Sequence, residues 1–332
     1  MENTIKSFID QQLELGAMAV HSELAVVPLL CRQPGGPDYI TLKEAFVRGG
    51  FAVTEISESG SVPNLKVVNG TGHNVLLLDG EELAGAKQNR VLNTSILIAA
   101  EGSAIIPVSC TEQGRWHYAS REFSDSGVMM SRSIRTNKSA SVSASVRSSS
   151  SYVSDQGGVW RDIEALHQSH GTSSSTGAMK DAYESRKAQT ESYKGHFPCQ
   201  DGQCGMAVLI KGRVAGIEFL SRPEAYRQLH EKLLGSYIMD IPMAQAGKSG
   251  PDPLKVRKIL DRIKDGTEER FKSVGLGEDC RYTIRGMVGS ALLVDNWYLH
   301  GAFFRSNNRN QTDQHRTERM ASLSRRRGYR QE

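Results

Sequence analysis

The sequence lacks several features that would assign the chain to a common class. None of its apolar runs approaches the roughly 18 to 20 residues of a membrane-spanning helix, so we expect no membrane partner. The first residues lack a basic segment followed by an apolar one, which argues against a secretory signal. The cysteines number five, and an odd count without a signal favours reduced thiols in a cytoplasmic protein.

Metal and phosphate motifs are also missing. Cys199 and Cys204 lie close together with His196 nearby, but no second pair of ligands stands at zinc spacing. We therefore predict no metal site and no bound cofactor. Neither glycine-rich phosphate motif, G-x-G-x-x-G or G-x-x-x-x-G-K-[ST], occurs in the chain, which excludes the common dinucleotide and nucleoside-triphosphate folds.

The excess of positive over negative charge lies at one end of the chain. The net charge is +4, and the segment 305–332 alone holds eight arginines against three acids, 8 − 3 = +5. The other residues therefore sum to 4 − 5 = −1, so the body of the protein is neutral. We predict a basic disordered tail at 305–332 that keeps the chain solvated, or else makes a weak, salt-sensitive contact with nucleic acid.

Short strands separated by turn signals predict an α+β fold. Asn69-Gly70 and Asp79-Gly80 are strong turn signals between apolar runs, typical of an antiparallel sheet or sandwich. A helical middle segment and a C-terminal ββααβ-type region follow. The predicted units are an N-terminal helix, an antiparallel β region, a serine-rich linker with helices, a C-terminal α+β region packed on the first, and the tail, at residues 1–20, 21–120, 121–200, 201–304 and 305–332.

Several segments leave two interpretations open. Serine supplies 11 of the 24 residues at 131–154, which predicts a flexible linker or a weak surface helix, with too few apolar residues for the core. Glu218 interrupts an apolar strand and faces either a polar cleft or solvent. His300 ends a strand and is expected to be a hydrogen-bonded core or edge residue.

A dense polar block follows the Asp79-Gly80 turn. Between two apolar strands, where a short turn would suffice, it carries two carboxylates, two cations and two amides. Carboxylates serve as general acids or bases, cations hold phosphate, and amides read a base edge or a sugar hydroxyl. The alternative is a solvated turn with a local ion pair. The residues are Glu81, Glu82, Lys87, Gln88, Asn89 and Arg90.

A second block follows the strand that ends at Cys110. Glu112 and Arg115 stand three residues apart, and Trp116 offers a flat stacking face. We expect Glu112 and Arg115 to be partners of the first block. Cys110 with His117 would make a nucleophile only if the pKa of the thiol were lowered, and nothing in the sequence lowers it. Cys110 is better interpreted as a buried thiol at the end of a strand.

These two blocks carry a family resemblance. Gly80-Glu81-Glu82-x-x-Gly85-x-Lys87-Gln88-Asn89-Arg90 and Pro107-Val108-x-Cys110-x-Glu112-x-Gly114-Arg115-Trp116 resemble the domain family associated with ADP-ribosylglycohydrolases and rhodanese-phosphatases. The similarity covers most of residues 15 to 305. It implies a setting in which ADP-ribose or phosphoryl groups are handled, and possible partner proteins of that kind, but it supplies no reaction.

Two functions fit these residues. One is an enzyme for a nucleotide-like or ADP-ribose-related substrate, with Glu81, Glu82 or Glu112 as acid and base. Lys87 and Arg90 would hold phosphate, Gln88 and Asn89 would orient sugar or base, and Trp116 would stack. The other is a binding or sensor module that uses the same residues and releases its ligand unchanged. An interaction scaffold that uses the serine-rich segment and the tail is a third, weaker hypothesis.

Overall fold

A computed structural model describes residues 4–57, 63–241 and 250–306. This described part forms eight helices and eighteen strands in three sheets, and the strands pair antiparallel except for β4 with β7. The predicted α+β class is confirmed. The helices are α1 Ile5–Gln12, α2 Leu42–Arg48, α3 Arg132–Ser149, α4 Gln156–His170, α5 Met179–Ser185, α6 Lys187–Lys194, α7 Pro223–Ile238 and α8 Pro253–Lys264.

The strands range from two to nine residues in length. They are β1 Leu13–Leu15, β2 Ala19–His21, β3 Leu24–Cys31, β4 Ile40–Thr41, β5 Phe51–Glu55, β6 Asn64–Asn69, β7 Val75–Leu77, β8 Glu81–Gly85, β9 Arg90–Leu92, β10 Ile96–Ile98, β11 Ser103–Cys110, β12 Phe123–Met129, β13 Gln203–Ile210, β14 Arg213–Leu220, β15 Thr267–Lys272, β16 Glu278–Ile284, β17 Met287–Val294 and β18 Trp297–Arg305.

The largest sheet combines strands from both ends of the chain. Its order is β1-β3-β13-β14-β18-β17-β16-β15, with β2 also paired to β3. Helices α1 and α8 pack on one face, and α7 packs on the other. Both faces are therefore covered, which explains why β13 and β14 are almost continuously apolar instead of alternating. The predicted unit boundaries at residues 20, 120, 200 and 304 stay predictions.

A six-stranded sheet carries both polar blocks. Its order is β12-β8-β9-β11-β6-β5, and one face packs against α2 and the three-stranded sheet β10-β7-β4. The opposite face packs against α3, α4 and α5. The sheet is therefore enclosed on two sides, and polar side chains on its central strands are buried by whichever layer they face.

The serine-rich segment forms a buried helix, and the prediction that it holds no core position is wrong. Helix α3 buries Ile134, Val142 and Val146 along one side. The side chains of Ser141 and Ser143 donate 2.8 Å hydrogen bonds to helix carbonyls one turn earlier. These small hydroxyls are satisfied within the helix, so serine lets neighbouring layers approach closely without leaving polar atoms unpaired.

Helix α3 also brings two cations into the interior. Arg135 donates hydrogen bonds of 3.0 and 2.6 Å to the two carboxylate oxygens of Glu218, and both side chains are fully buried. Lys138 forms an ion pair with Asp79. Burial by itself raises the pKa of Glu218, but the charges of Arg135 and His300 outweigh it and lower that pKa to about 2. Glu218 thus faces neither a cleft nor solvent.

Three further predictions of elements need correction. The helix expected over residues 1–20 ends at Gln12, because Leu13 and Leu15 alternate and pair with β3. In the ββααβ-type region, the apolar spacing predicts a second helix from Lys255 to Val274, but the helix ends at Lys264 and the polar strand β15 follows. Glu81 to Gly85 is a strand, so only residues 86–89 remain as a turn. Nearly all of the predicted tail, 307–332, lies outside the described residues.

Candidate functional site

The two polar blocks lie side by side in the six-stranded sheet. Arg90 pairs with Cys110 in the ladder between β9 and β11. Just beyond that pair, the Thr111 backbone N–H donates a 3.0 Å hydrogen bond to the Asn89 carbonyl. The turn at 86–89 and the chain after Cys110 therefore form one continuous polar cluster, which we call the motif cluster.

Arg115 holds the turn of the motif cluster in place. Its guanidinium donates hydrogen bonds to the Ala86 carbonyl at 2.7 Å, the Gly85 carbonyl at 3.3 Å and the Asn89 side-chain oxygen at 3.2 Å. The backbone needs this support, since Gly85 and Ala86 both have positive φ, 125° and 40°. Arg115 therefore acts first as a clamp on an unfavourable backbone.

Glu112 is the acceptor at the centre of the cluster. Its carboxylate accepts hydrogen bonds from Arg115 at 2.7 Å, the Asn89 backbone at 3.2 Å and the Thr176 hydroxyl at 2.9 Å. Burial by itself raises the pKa of Glu112, but these three donors, Arg115 first, hold the pKa below its ordinary value. Glu112 is thus an ionised carboxylate with its hydrogen bonds already made.

Gln88 and Arg90 form the inner side of the cluster. The Gln88 amide donates a 2.8 Å hydrogen bond to the Glu112 carbonyl and accepts one of 2.8 Å from Arg90. The Arg90 side chain is fully buried and faces Glu55, the last residue of β5, at an N–O distance of 3.8 Å. Glu55 was not among the residues that the sequence singled out, because it follows the ordinary alternation of its strand.

Glu81 and Glu82 lie on opposite faces of β8, as neighbours on a strand must. Glu81 accepts 2.8 Å hydrogen bonds from the Leu78 backbone N–H and from Lys232 of α7. Glu82 pairs across the sheet with Val91, which packs against the helices on the other face. The two carboxylates therefore cannot act together on one substrate atom.

Glu82 is the predicted acid or base with the most altered environment. The side chain is fully buried, and the Thr111 hydroxyl donates to one oxygen at 2.7 Å. The other oxygen has no hydrogen-bond partner within the described part of the chain. Burial raises the pKa of Glu82 to about 7, although hydrogen bonds and the charge of Lys180 act in the opposite direction. Glu82 therefore changes its protonation near neutral pH.

The accessible part of the motif cluster is aromatic. Trp116 and Tyr118 are 50% and 47% exposed, whereas Lys87 is 9% exposed. The Lys87 ammonium lies 5.4 Å from the centroid of the Trp116 ring and 5.1 Å from that of Tyr118. A cation at this distance from two ring faces orients both rings. Tyr118 was missed from sequence, although a second aromatic residue two positions after Trp116 was a usable signal.

The glycine that opens the first block has a packing role. Gly80 has a φ of +90°, and a Cβ there would lie 2.5 Å from Nε of Arg135 and 3.0 Å from the Met129 sulfur. Glycine at this position therefore makes room for the buried arginine of α3. The first polar block and the buried Arg135–Glu218 ion pair therefore come together at Gly80.

Metal binding and membrane insertion can be considered for the described residues as a whole. No group of three or more His, Cys, Asp or Glu side chains is placed to hold a metal ion in residues 4–57, 63–241 and 250–306. Over the same ranges, no helix has both the length and the apolar character needed to cross a membrane.

Comparison with known proteins supplies a family and nothing finer. Residues 12–304 match the family described as ARG and Rhodanese-Phosphatase-superfamily-associated Protein domain, ARPP-1. The match spans most of the sequence, so the chain belongs to this family. A search of curated proteins found no match, and a search of solved structures found none either.

Proposed function

From membership of this family and the geometry of the motif cluster, we propose that the chain is a binding module for a nucleotide-like ligand of the ADP-ribose class. The observation that carries the proposal is the pair of half-exposed rings, Trp116 and Tyr118, arranged around the Lys87 ammonium. Exposed aromatic faces beside a cation suit a ligand with a stacking base and an anionic phosphate. The name of the family, with its association with ADP-ribosylglycohydrolases, favours ADP-ribose among such ligands.

Binding fits the burial of the carboxylates better than catalysis does. Glu81 and Glu82 are fully buried, and Glu112 is 6% exposed. Glu81 and Glu112 are already engaged by Lys232 and Arg115, at 2.8 and 2.7 Å. Carboxylates in such pairs shape a surface and hold it rigid, because their hydrogen bonds are already made.

A titration with a panel of ligands tests the proposal. We expect ADP-ribose, NAD or an adenine nucleotide to raise the melting temperature, because a ligand at about 100 times its Kd adds roughly 2.7 kcal/mol to stability. Trp116→Ala should weaken binding by about 10- to 100-fold, since base stacking on an aromatic residue contributes roughly 1–3 kcal/mol. Trp116→Phe keeps a ring and serves as the matched control.

Two outcomes of this titration would contradict the proposal. If no nucleotide in the panel, with or without divalent cations, shifts the melting temperature or gives heat in calorimetry, the proposed ligand class is wrong. If binding occurs and Trp116→Ala leaves Kd unchanged, the ligand rests elsewhere and the aromatic pair is not its site.

A second function, acid–base catalysis on the same ligand class, is favoured by Glu82 alone. A carboxyl group with a pKa of about 7 exchanges a proton at neutral pH, as a general acid or base requires. Chromatography of ligand before and after incubation tests it. Product formed by the wild type and lost in Glu82→Gln, with Kd retained, would establish an enzyme. If the ligand is recovered unchanged, the result supports a binding module and not an enzyme.

A further inference from the structure

Arg90 and Glu55 form a buried pair whose hydrogen bonds are incomplete. Their side chains are 0% and 3% exposed, and the closest N–O distance is 3.8 Å, beyond hydrogen-bonding range. Among the described residues, Nε and one terminal nitrogen of Arg90 have no hydrogen-bond partner, and the two oxygens of Glu55 have none either. Buried polar atoms nearly always have partners, so four such atoms on one ion pair mark a place where something else completes the hydrogen bonds.

The charges of the pair restrict what that group is. Glu55 compensates the charge of Arg90, and a phosphate placed between them would meet a carboxylate. The group must accept hydrogen bonds on the side of Arg90 and donate on the side of Glu55, since guanidinium only donates and ionised carboxylate only accepts. A neutral edge with an amino group beside an acceptor nitrogen satisfies both, and adenine carries such an edge.

The position of the pair connects it to the aromatic rings. The guanidinium carbon of Arg90 lies 6.0 Å from the centroid of the Trp116 ring. The buried pair therefore lies next to the ring on which the proposed ligand stacks.

We propose that Arg90 and Glu55 recognise the amino-bearing edge of the base that stacks at Trp116, with Arg90 donating to a ring nitrogen and Glu55 accepting from the amino group. The proposal rests on the function proposed above and specifies its ligand as an amino-substituted heterocycle such as adenine. It replaces the expectation that Arg90 anchors phosphate. Lys87, whose ammonium lies beside the two exposed rings, keeps that role.

A matched pair of ligands tests this on the unmodified protein. ADP and purine riboside 5′-diphosphate differ only in the 6-amino group. We expect the second to bind about 10- to 100-fold more weakly by calorimetry, because it leaves Glu55 without a donor in a buried position. Equal Kd values would overturn the proposal, because ordered water would then complete the hydrogen bonds of Arg90 and Glu55. The proposed binding function would be unaffected. Failure of both ligands to bind would reject the two proposals together.

Variants separate recognition from folding. Glu55→Leu with Arg90→Met replaces the ion pair by apolar side chains of similar size, a change that buried pairs often tolerate. We expect this double variant to melt as a folded protein and to bind the two diphosphates with Kd values within about twofold of each other. Retention of a tenfold preference for ADP would show that other residues read the amino group and would overturn the assignment.

Discussion

Two fully buried glutamates on neighbouring sheets of this protein have opposite properties. Glu218, in the large sheet, has a pKa lowered to about 2, and Glu82, in the six-stranded sheet, has one raised to about 7. Burial is equal at both positions, so the difference comes from partners. Arg135 donates hydrogen bonds to both oxygens of Glu218. Glu82 accepts one hydrogen bond, from a hydroxyl group, and its other oxygen has no partner among the described residues.

The contrast separates structural charge from responsive charge. A carboxylate matched by a bidentate arginine stays ionised over the whole physiological range and fixes two layers against each other. A carboxyl group without a matching cation exchanges its proton near neutral pH, which is the property expected beside a ligand site. The pair of Glu218 with Arg135 of α3 is of the first kind, and Glu82, which contacts the motif cluster through Thr111, is of the second.

The largest expected effect comes from breaking the matched pair. Arg135→Ala should lower the free energy of unfolding by about 3–5 kcal/mol, because it leaves Glu218 charged and buried without a partner. Urea denaturation measures the loss, and Ser149→Ala, on the exposed end of the same helix, is the control. Arg135→Met with Glu218→Leu should recover most of the stability. A loss below about 1 kcal/mol for Arg135→Ala would contradict the matched-pair interpretation.

The second-largest effect should be a pH dependence of the free energy of unfolding, caused by the Glu82 carboxyl group. The native pKa of Glu82 lies above its ordinary value of 4.5, so the native protein holds a proton that the unfolded chain releases. Its contribution is complete below pH 4.5 and is lost as the pH rises through about 7, a change of roughly 3 kcal/mol.

Urea titrations at pH 5 and pH 8 measure this difference. Glu82→Gln should remove that part of the pH dependence, because the amide does not ionise. Glu122→Gln, at an exposed position, is the matched control. An identical pH profile for wild type and Glu82→Gln would show that Glu82 stays ionised throughout.

The smallest of the three effects should come from the clamp on the turn. Arg115→Ala removes hydrogen bonds to two backbone carbonyls and to Glu112, at a cost of about 2 kcal/mol, since part of this region is reached by water. Thermal denaturation measures the cost. Arg115→Lys, which keeps the charge without the planar fork, should recover less than half of it. Full recovery by lysine would show that charge alone stabilises the turn.

The sequence predicted what depends on local patterns. Asn69-Gly70 and the apolar runs around it predicted a strand and a turn that the structure contains. The motif cluster was found because its residues are close along the chain.

Features set by distant partners were not predictable in this way. Helix α3 is polar by composition, and its two cations are buried because Glu218 and Asp79 lie at its contact face. Strand β8 was taken for a turn, because its two glutamates lower its strand propensity and their partners, Lys232 and Thr111, lie far away in sequence. Glu55 has no unusual neighbour until the fold places Arg90 beside it.

The position of β3 has a consequence for synthesis of the protein. Val27 pairs with Ala207, which the ribosome adds 180 residues later. At about 5–20 residues per second, the apolar strand waits roughly 10 to 35 s for its neighbour. During that interval β3 is an unpaired edge that is open to wrong partners and to chaperones. The yield of correctly folded protein should therefore respond to elongation rate more strongly than its equilibrium stability would suggest.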